Sequence, residues 1–328
     1  MTASTGQRHW AQIGESTFVT GIWLLYGVHR LFGRVPFLVC MYPVVAYYWA
    51  TSRVARQASM EYLKLAHHYL GVPTSAPGWR AVLRHFLSFA ATLLDKTLIT
   101  SGRYRFDHVR FEGLDAMLKR VQRREGGIFI TAHMGCLELC QALADRESGL
   151  HVNVLVHTRH AELFNRILRK LNPKSGVTLM QVTEFNLGTA ILLAKKVAAG
   201  EYVAIAGDRV PVTIGAHNTL KVDFLGRPAV LPIGPYIIAS LLKCPLFWMG
   251  CIREGDGHVV VFELLAQHVY LPRRQRAAAA TVLAQQYVAR VEALLRRAPF
   301  EWFNFFPFWD QPGAVPVAPN LHHEKSSP

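Results

Sequence analysis

Two residues that could do acid–base chemistry stand close together in "GGIFITAHMGCLELCQALAD", residues 126 to 145: His133 and Glu138. A neutral imidazole can remove a proton from an alcohol or amine. A carboxylate on its other nitrogen fixes the tautomer and stabilises the imidazolium. The spacing alone is cheap, since with 15 histidines and 22 acidic residues about one His-to-acid separation of five is expected by chance. The chain holds three: His133 with Glu138, His157 with Glu162, and His258 with Glu263.

Geometry sorts them. His258 and Glu263 fall in one expected strand, where an odd separation points them to opposite faces. The other two pairs sit at strand-to-helix junctions. Residues five apart within one regular helix are turned by about 500° and do not meet. They meet only if the histidine lies in the entry turn. Gly135 favours the first pair, because it permits a sharp turn and close approach of a substrate. The bulky, basic "TRHAELFNRILRK" after His157 reads as a binding wall. Amides of a helix beginning near Gly135 could stabilise negative charge on a carbonyl oxygen. The competing reading is a buried histidine at a helix start with a solvent-facing glutamate.

Other schemes lack parts. There is no G-x-S-x-G elbow, no P-loop and no G-x-G-x-x-G. Cys136 reads as a small packing residue rather than an acyl carrier. His133, Cys136 and Cys140 on one short segment match no zinc pattern, so no metal is expected.

The elements that must position these residues alternate strand and helix after Tyr104. Expected strands are 127–131, 152–157, 177–182, 202–207, 220–225, 245–252 and 258–265. Expected helices are 113–123, 136–147, 160–171, 185–199, 233–243 and 273–297. That order predicts an α/β fold, a mainly parallel sheet flanked by helices. Ligands gather beyond the carboxyl ends of such strands, so His133, His157 and Asp208 become neighbours in principle.

The first hundred residues differ in kind. "TFVTGIWLLYGV" (17–28) and "VPFLVCMYPVVAYYWA" (35–50) are apolar runs too short for clean spans, with Trp, Tyr, His and Arg interleaved. They predict an apolar helical amino-terminal region associated with a membrane surface, against the alternative of a buried hairpin. Two amphipathic helices, 52–71 and 78–99, follow. The second carries an apolar stripe of Trp79, Val82, Phe86, Phe89, Leu93 and Leu94. The expected organisation is 1–100 for the helical region, 101–312 for the α/β domain and 313–328 for a flexible tail.

Of the 328 residues, 51% are hydrophobic and 18% charged, and the net charge is +14. That excess suits nucleic acid, anionic lipid, acidic carrier proteins or phosphorylated cofactors. Zinc-finger, RNP-like and basic-zipper signatures are missing, so nucleic acid is not an expected partner. Five cysteines (Cys40, Cys136, Cys140, Cys244 and Cys251), odd in number and mostly in apolar segments, fit a reducing compartment. The start "MTASTGQRHWAQIGES" shows no secretory signal.

Taken together, "FEGLDAMLKRVQRREGGIFITAHMGCLELC" resembles acyltransferases of the lipid A biosynthesis type, in the glycerophospholipid and lysophospholipid acyltransferase superfamily. Their signature is a histidine, four residues, then Asp or Glu, with glycine two places past the histidine. "AGDRVPV", "LKVDFLGRPAVLPIGPYIIAS" and "VHTRHAELFNRIL" are similar to further blocks, and "FEWFNFFPFWD" to the aromatic close of a more distant branch. The family usually carries Asn-Trp where this chain has Cys136-Leu137. The resemblance implies transfer of a fatty acyl group from a thioester of acyl carrier protein or coenzyme A to a hydroxyl or amine of a membrane lipid. It implies His133 as base and Glu138 as its partner, with no cofactor, at the cytoplasmic face of a bacterial inner membrane. Arg159 and Arg209 become candidates for phosphate or acceptor contacts, and Asp208 for positioning. Thioester hydrolysis, or silent binding of lipid or carrier, are the alternatives. His133→Ala should lower thioester turnover by roughly 10²–10⁴-fold with folding kept, as loss of a general base does, read from rates and circular dichroism of the purified protein.

Overall fold

The computed structural model describes residues 34–72, 77–100, 104, 106–140, 143, 149–156, 177–181, 186–210 and 218–310. Three helices lead: α1 (Arg34–Thr51), α2 (Arg53–Leu70) and α3 (Trp79–Thr100). Then come β1 (Val109–Glu112), α4 (Leu114–Gln122), β2 (Gly127–Thr131), β3 (Val152–Val156), β4 (Val177–Gln181), α5 (Leu187–Ala198) and β5 (Tyr202–Ala206). A ribbon of β6 (Thr219–Phe224) and β7 (Arg227–Pro232) precedes α6 (Gly234–Leu242), β8 (Leu246–Glu254), β9 (Gly257–Ala266) and α7 (Arg276–Arg297).

Seven strands form one sheet in the order β1-β9-β8-β2-β5-β3-β4. Every pairing in it is parallel except the β8–β9 hairpin. The fold is therefore α/β with a mainly parallel sheet flanked by helices. β2 lies mid-sheet between β5 and β8 and is buried along its whole length. Its uninterrupted apolar sequence requires that, because an all-apolar strand is stable only with both faces covered. Ile128 and Ile130 point into a core shared with α1, α2, α3, α6 and α7. Phe129, one residue out of phase, packs on the other face with Met117 and Val121 of α4.

Two strands escaped the sequence reading. β1, "VRFE", is four residues long and only partly buried, so it carries no apolar run. β7, "RPAVLP", holds prolines at two positions and survives because it pairs on one side only, antiparallel to β6. β6 was expected in the main sheet and instead forms this separate ribbon under α7.

At the amino-terminal side, α2 and α3 reproduce the expected helices within a residue, and α1 contains Pro43. Met41 and Val45 of α1 are buried, while Val39, Tyr42, Val44, Tyr47 and Tyr48 are exposed. No described helix is long and apolar enough to cross a membrane. The run at 17–28, the helix at 160–171 and the tail from 313 lie outside the described residues. Within the α3 stripe, Val82, Phe86 and Leu94 are buried, whereas Trp79 is exposed. Leu94→Ala should cost about 2–5 kcal/mol, and Trp79→Ala should stay within roughly 1 kcal/mol, in urea unfolding.

Candidate active site

The β2–β5 register pairs Thr131 with Ala206. Two residues beyond each partner, on the carboxyl side of the sheet, stand His133 and Asp208. The parallel ladder thus brings together residues 75 apart in sequence. His133 Nδ1 lies 2.8 Å from Asp208 Oδ1, and the backbone N–H of His133 donates to Oδ2 at 2.8 Å. Asp208 is buried, and Oδ2 also accepts the indole N–H of Trp302 at 2.9 Å.

Burial alone would raise the Asp208 pKa. The His133 ring, its amide and the neighbouring Arg209 override that and hold the carboxyl far below its ordinary range. An ionised carboxylate only accepts, so Nδ1 carries the proton and Nε2 the lone pair. The His133 side chain keeps 39% of its surface open. Its pKa is lowered, first by desolvation and further by Arg209 and Lys96, against the opposing pull of Asp208. The imidazole is accordingly neutral near pH 7 and able to take a proton.

Glu138 sits elsewhere than the sequence reading placed it. The carboxylate at Nδ1 is that of Asp208, and Glu138 Oε1 accepts from Lys96 Nζ of α3 at 3.0 Å. The reason is the turn. Gly135 has φ +52°, and the helical turn after it carries Glu138 toward α3. Burial would lower the Lys96 pKa, but Glu138 leads the groups that raise it, and the ammonium stays charged.

Main-chain bonds hold this turn against the segment after α7. Gly135 N–H donates to Glu301 O at 2.9 Å, and Phe303 N–H donates to His133 O at 2.8 Å. Met134 and Trp302 form an isolated antiparallel bridge. Arg209 donates to Phe303 O at 3.0 Å and lies over the Phe306 ring. The amides of Met134 and Gly135 are both engaged, the first to Ala132 O and the second to Glu301 O.

His133, Gly135, Asp208 and Arg209 are thus gathered at one place, with Glu138 reached through Lys96. Arg159 and the His157–Glu162 pair lie outside the described residues. Cys136 is buried, its thiol pKa pushed well up by desolvation, which suits packing. His258 contacts Tyr104, and Glu263 pairs with Arg290, as opposite faces of a strand require. A second histidine pair, Ser59 Oγ with His85 Nδ1 at 2.8 Å, is wholly buried and so closed to substrate. Among the described residues no group of three or more His, Cys, Asp or Glu could hold a metal ion.

Sequence reasoning missed Lys96 and Trp302. The signal for Lys96 was an Asp-Lys pair inside an otherwise apolar helix. Trp302 was visible only as one of many aromatics in "FEWFNFFPFWD". A cavity of about 520 Å³ opens between α1, α2 and α3, lined by Trp49, Met60, Trp79 and Val82. No residue of the His133 cluster lines it.

A family model described as bacterial lipid A biosynthesis acyltransferase matches residues 91–311, about two thirds of the chain. Comparison with curated proteins finds no match.

A Cβ on Gly135 would run into the Cys251 backbone carbonyl, in a conformation that side chains rarely adopt. Gly135→Ala should therefore destabilise the protein by at least about 1–3 kcal/mol in chemical denaturation and lower turnover by displacing His133.

Proposed function

The chain belongs to the bacterial lipid A biosynthesis acyltransferase family, and on that premise we propose that His133 is the general base of a fatty acyl transfer. The donor is an acyl thioester of acyl carrier protein or coenzyme A. The acceptor is a hydroxyl or amine of a lipid. The observation that carries the reading is a half-open imidazole whose Nδ1 is fixed by a buried, ionised carboxylate.

In this scheme Nε2 takes the acceptor proton as the oxygen or nitrogen attacks the thioester carbonyl. The tetrahedral intermediate collapses, the C–S bond breaks, and the leaving thiolate takes the proton back from the imidazolium. Asp208 stabilises that imidazolium. Lys96, held by Glu138, and Arg209 bring positive charge toward the carbonyl oxygen as it becomes negative. Glu138 then acts one residue removed from the ring. The scheme uses no metal and no bound cofactor.

Lipid handling has its own support. The exposed Val39, Tyr42, Val44 and Tyr47 of α1 give an apolar, aromatic face suited to a bilayer interface. The net charge of +14 favours anionic lipid and an acidic carrier protein. We place the enzyme at the cytoplasmic face of the bacterial inner membrane.

The test offers acylated carrier protein or acyl-coenzyme A, with a bacterial lipid extract, to wild-type protein and His133→Ala. A new acylated lipid that disappears in the variant is the expected product. Free fatty acid as the sole product would make the protein a thioester hydrolase, and equal rates in both proteins would remove His133 from the chemistry. Because the neutral ring is the active form and its pKa is lowered, kcat/KM should hold until the pH falls below the ordinary imidazole value of 6.5.

A further inference from the structure

We propose that Trp302 is a positioning residue for the transfer reaction, its indole N–H fixing the plane of the Asp208 carboxylate that in turn fixes the His133 ring. The inference rests on His133 acting as the base.

A carboxylate has a soft terminal torsion and is held only by what binds its oxygens. Oδ1 takes the imidazole; Oδ2 takes the His133 amide and the indole. The amide and the imidazole belong to one residue, so Trp302 is the donor that anchors Asp208 to a different part of the molecule. An indole nitrogen only donates, so the polarity of this contact cannot invert. The ring is itself immobilised. It is fully buried, with Tyr62 at 4.9 Å, Phe308 at 5.0 Å and Phe224 at 5.1 Å between centroids, each edge to face. His85 Nε2 meets its carbonyl oxygen at 2.8 Å. These contacts make the anchor stiff, as an orienting group behind a base must be.

The geometry also separates two roles of residue 302. The bonds from Gly135 N to Glu301 O and from Phe303 N to His133 O are main-chain bonds, and any side chain at 302 leaves them in place. Only the N–H reaches Asp208. The charged and titratable groups around the pair are otherwise unchanged by its loss. Arg209 follows β5, Lys96 comes from α3, and the Tyr287 hydroxyl comes from α7. Without the indole donor the carboxylate is less neutralised, which favours the imidazolium. The sign is therefore a base that protonates at higher pH, in a ring that is less well aimed.

The experiment compares wild type with Trp302→benzothienylalanine, which replaces the N–H by sulfur at nearly constant ring size, and with Trp302→Phe and His133→Ala. The benzothienyl protein should lose about tenfold in kcat, the scale of one hydrogen bond to a charged group, with KM kept and a melting temperature lowered less than in Trp302→Phe. The acid limb of its pH profile should move to higher pH. Trp302→Phe should shift the same limb the same way while also losing stability. A benzothienyl protein with wild-type rate and pH profile, beside an inactive His133→Ala, would overturn the positioning role and leave the base intact. Full turnover by His133→Ala would overturn both.

Discussion

A buried carboxylate that stays ionised must have its oxygens satisfied, and the arrangement around Asp208 follows from that constraint. Its donors come from two distant places, the turn after β2 and the segment after α7. The β2–β5 register delivers the first. The second is delivered by the amino-terminal helices. Tyr62 of α2 donates to Pro299 O at 2.6 Å, Ser88 of α3 binds Glu301, and His85 of α3 meets Trp302 O. Burial lowers the His85 pKa to about 4, so this histidine is neutral and donates steadily from Nε2. α2 and α3 are thus part of the scaffold of the site as well as covers for the sheet.

The same helices place charge with unusual economy. α3 is apolar over most of its length, yet buries Asp95 and half-buries Lys96 side by side. Asp95 is bonded to Arg253 of β8 and lies 3.5 Å from His258 Nε2 of β9. Lys96 turns to the other side and meets Glu138. One helical turn therefore locks α3 to the β8–β9 hairpin and, in the next residue, sends a cation toward the His133 cluster. Buried ion pairs of this kind contribute more to a fixed register than to net stability.

Much of this was legible in the sequence, and what was not has a physical cause. Strands such as "GIFIT" and "YVAIA" were read correctly because burial on both faces demands continuous apolar sequence. β1 and β7 are half-covered or proline-bearing, and nothing local marks them. His133 was found from its position after a strand, and Asp208 was named as its neighbour by the same rule. The specific pairing was harder. Glu138 is close in sequence, Asp208 only in space, and a parallel register is set by pairings that no single segment encodes. Trp302 shows the limit plainly. Its packing role is typical of an aromatic cluster, and its hydrogen bond depends on one atom that composition does not reveal.

The clamp at residues 301–304 has a consequence for the order of events during synthesis. These residues leave the ribosome after every element that they hold: the β2 turn, β5 and helices α2 and α3. A nascent chain can pair β2 with β5 and bring His133 to Asp208, yet it still lacks the indole and the two main-chain bonds that stiffen the turn. The indole bond spans 94 residues and the two main-chain bonds more than 160, so they close late, since long loops must be ordered before they form. A polypeptide still being made therefore lacks the fully braced His133 turn. The His133–Asp208 arrangement is complete only when the segment after α7 is in place.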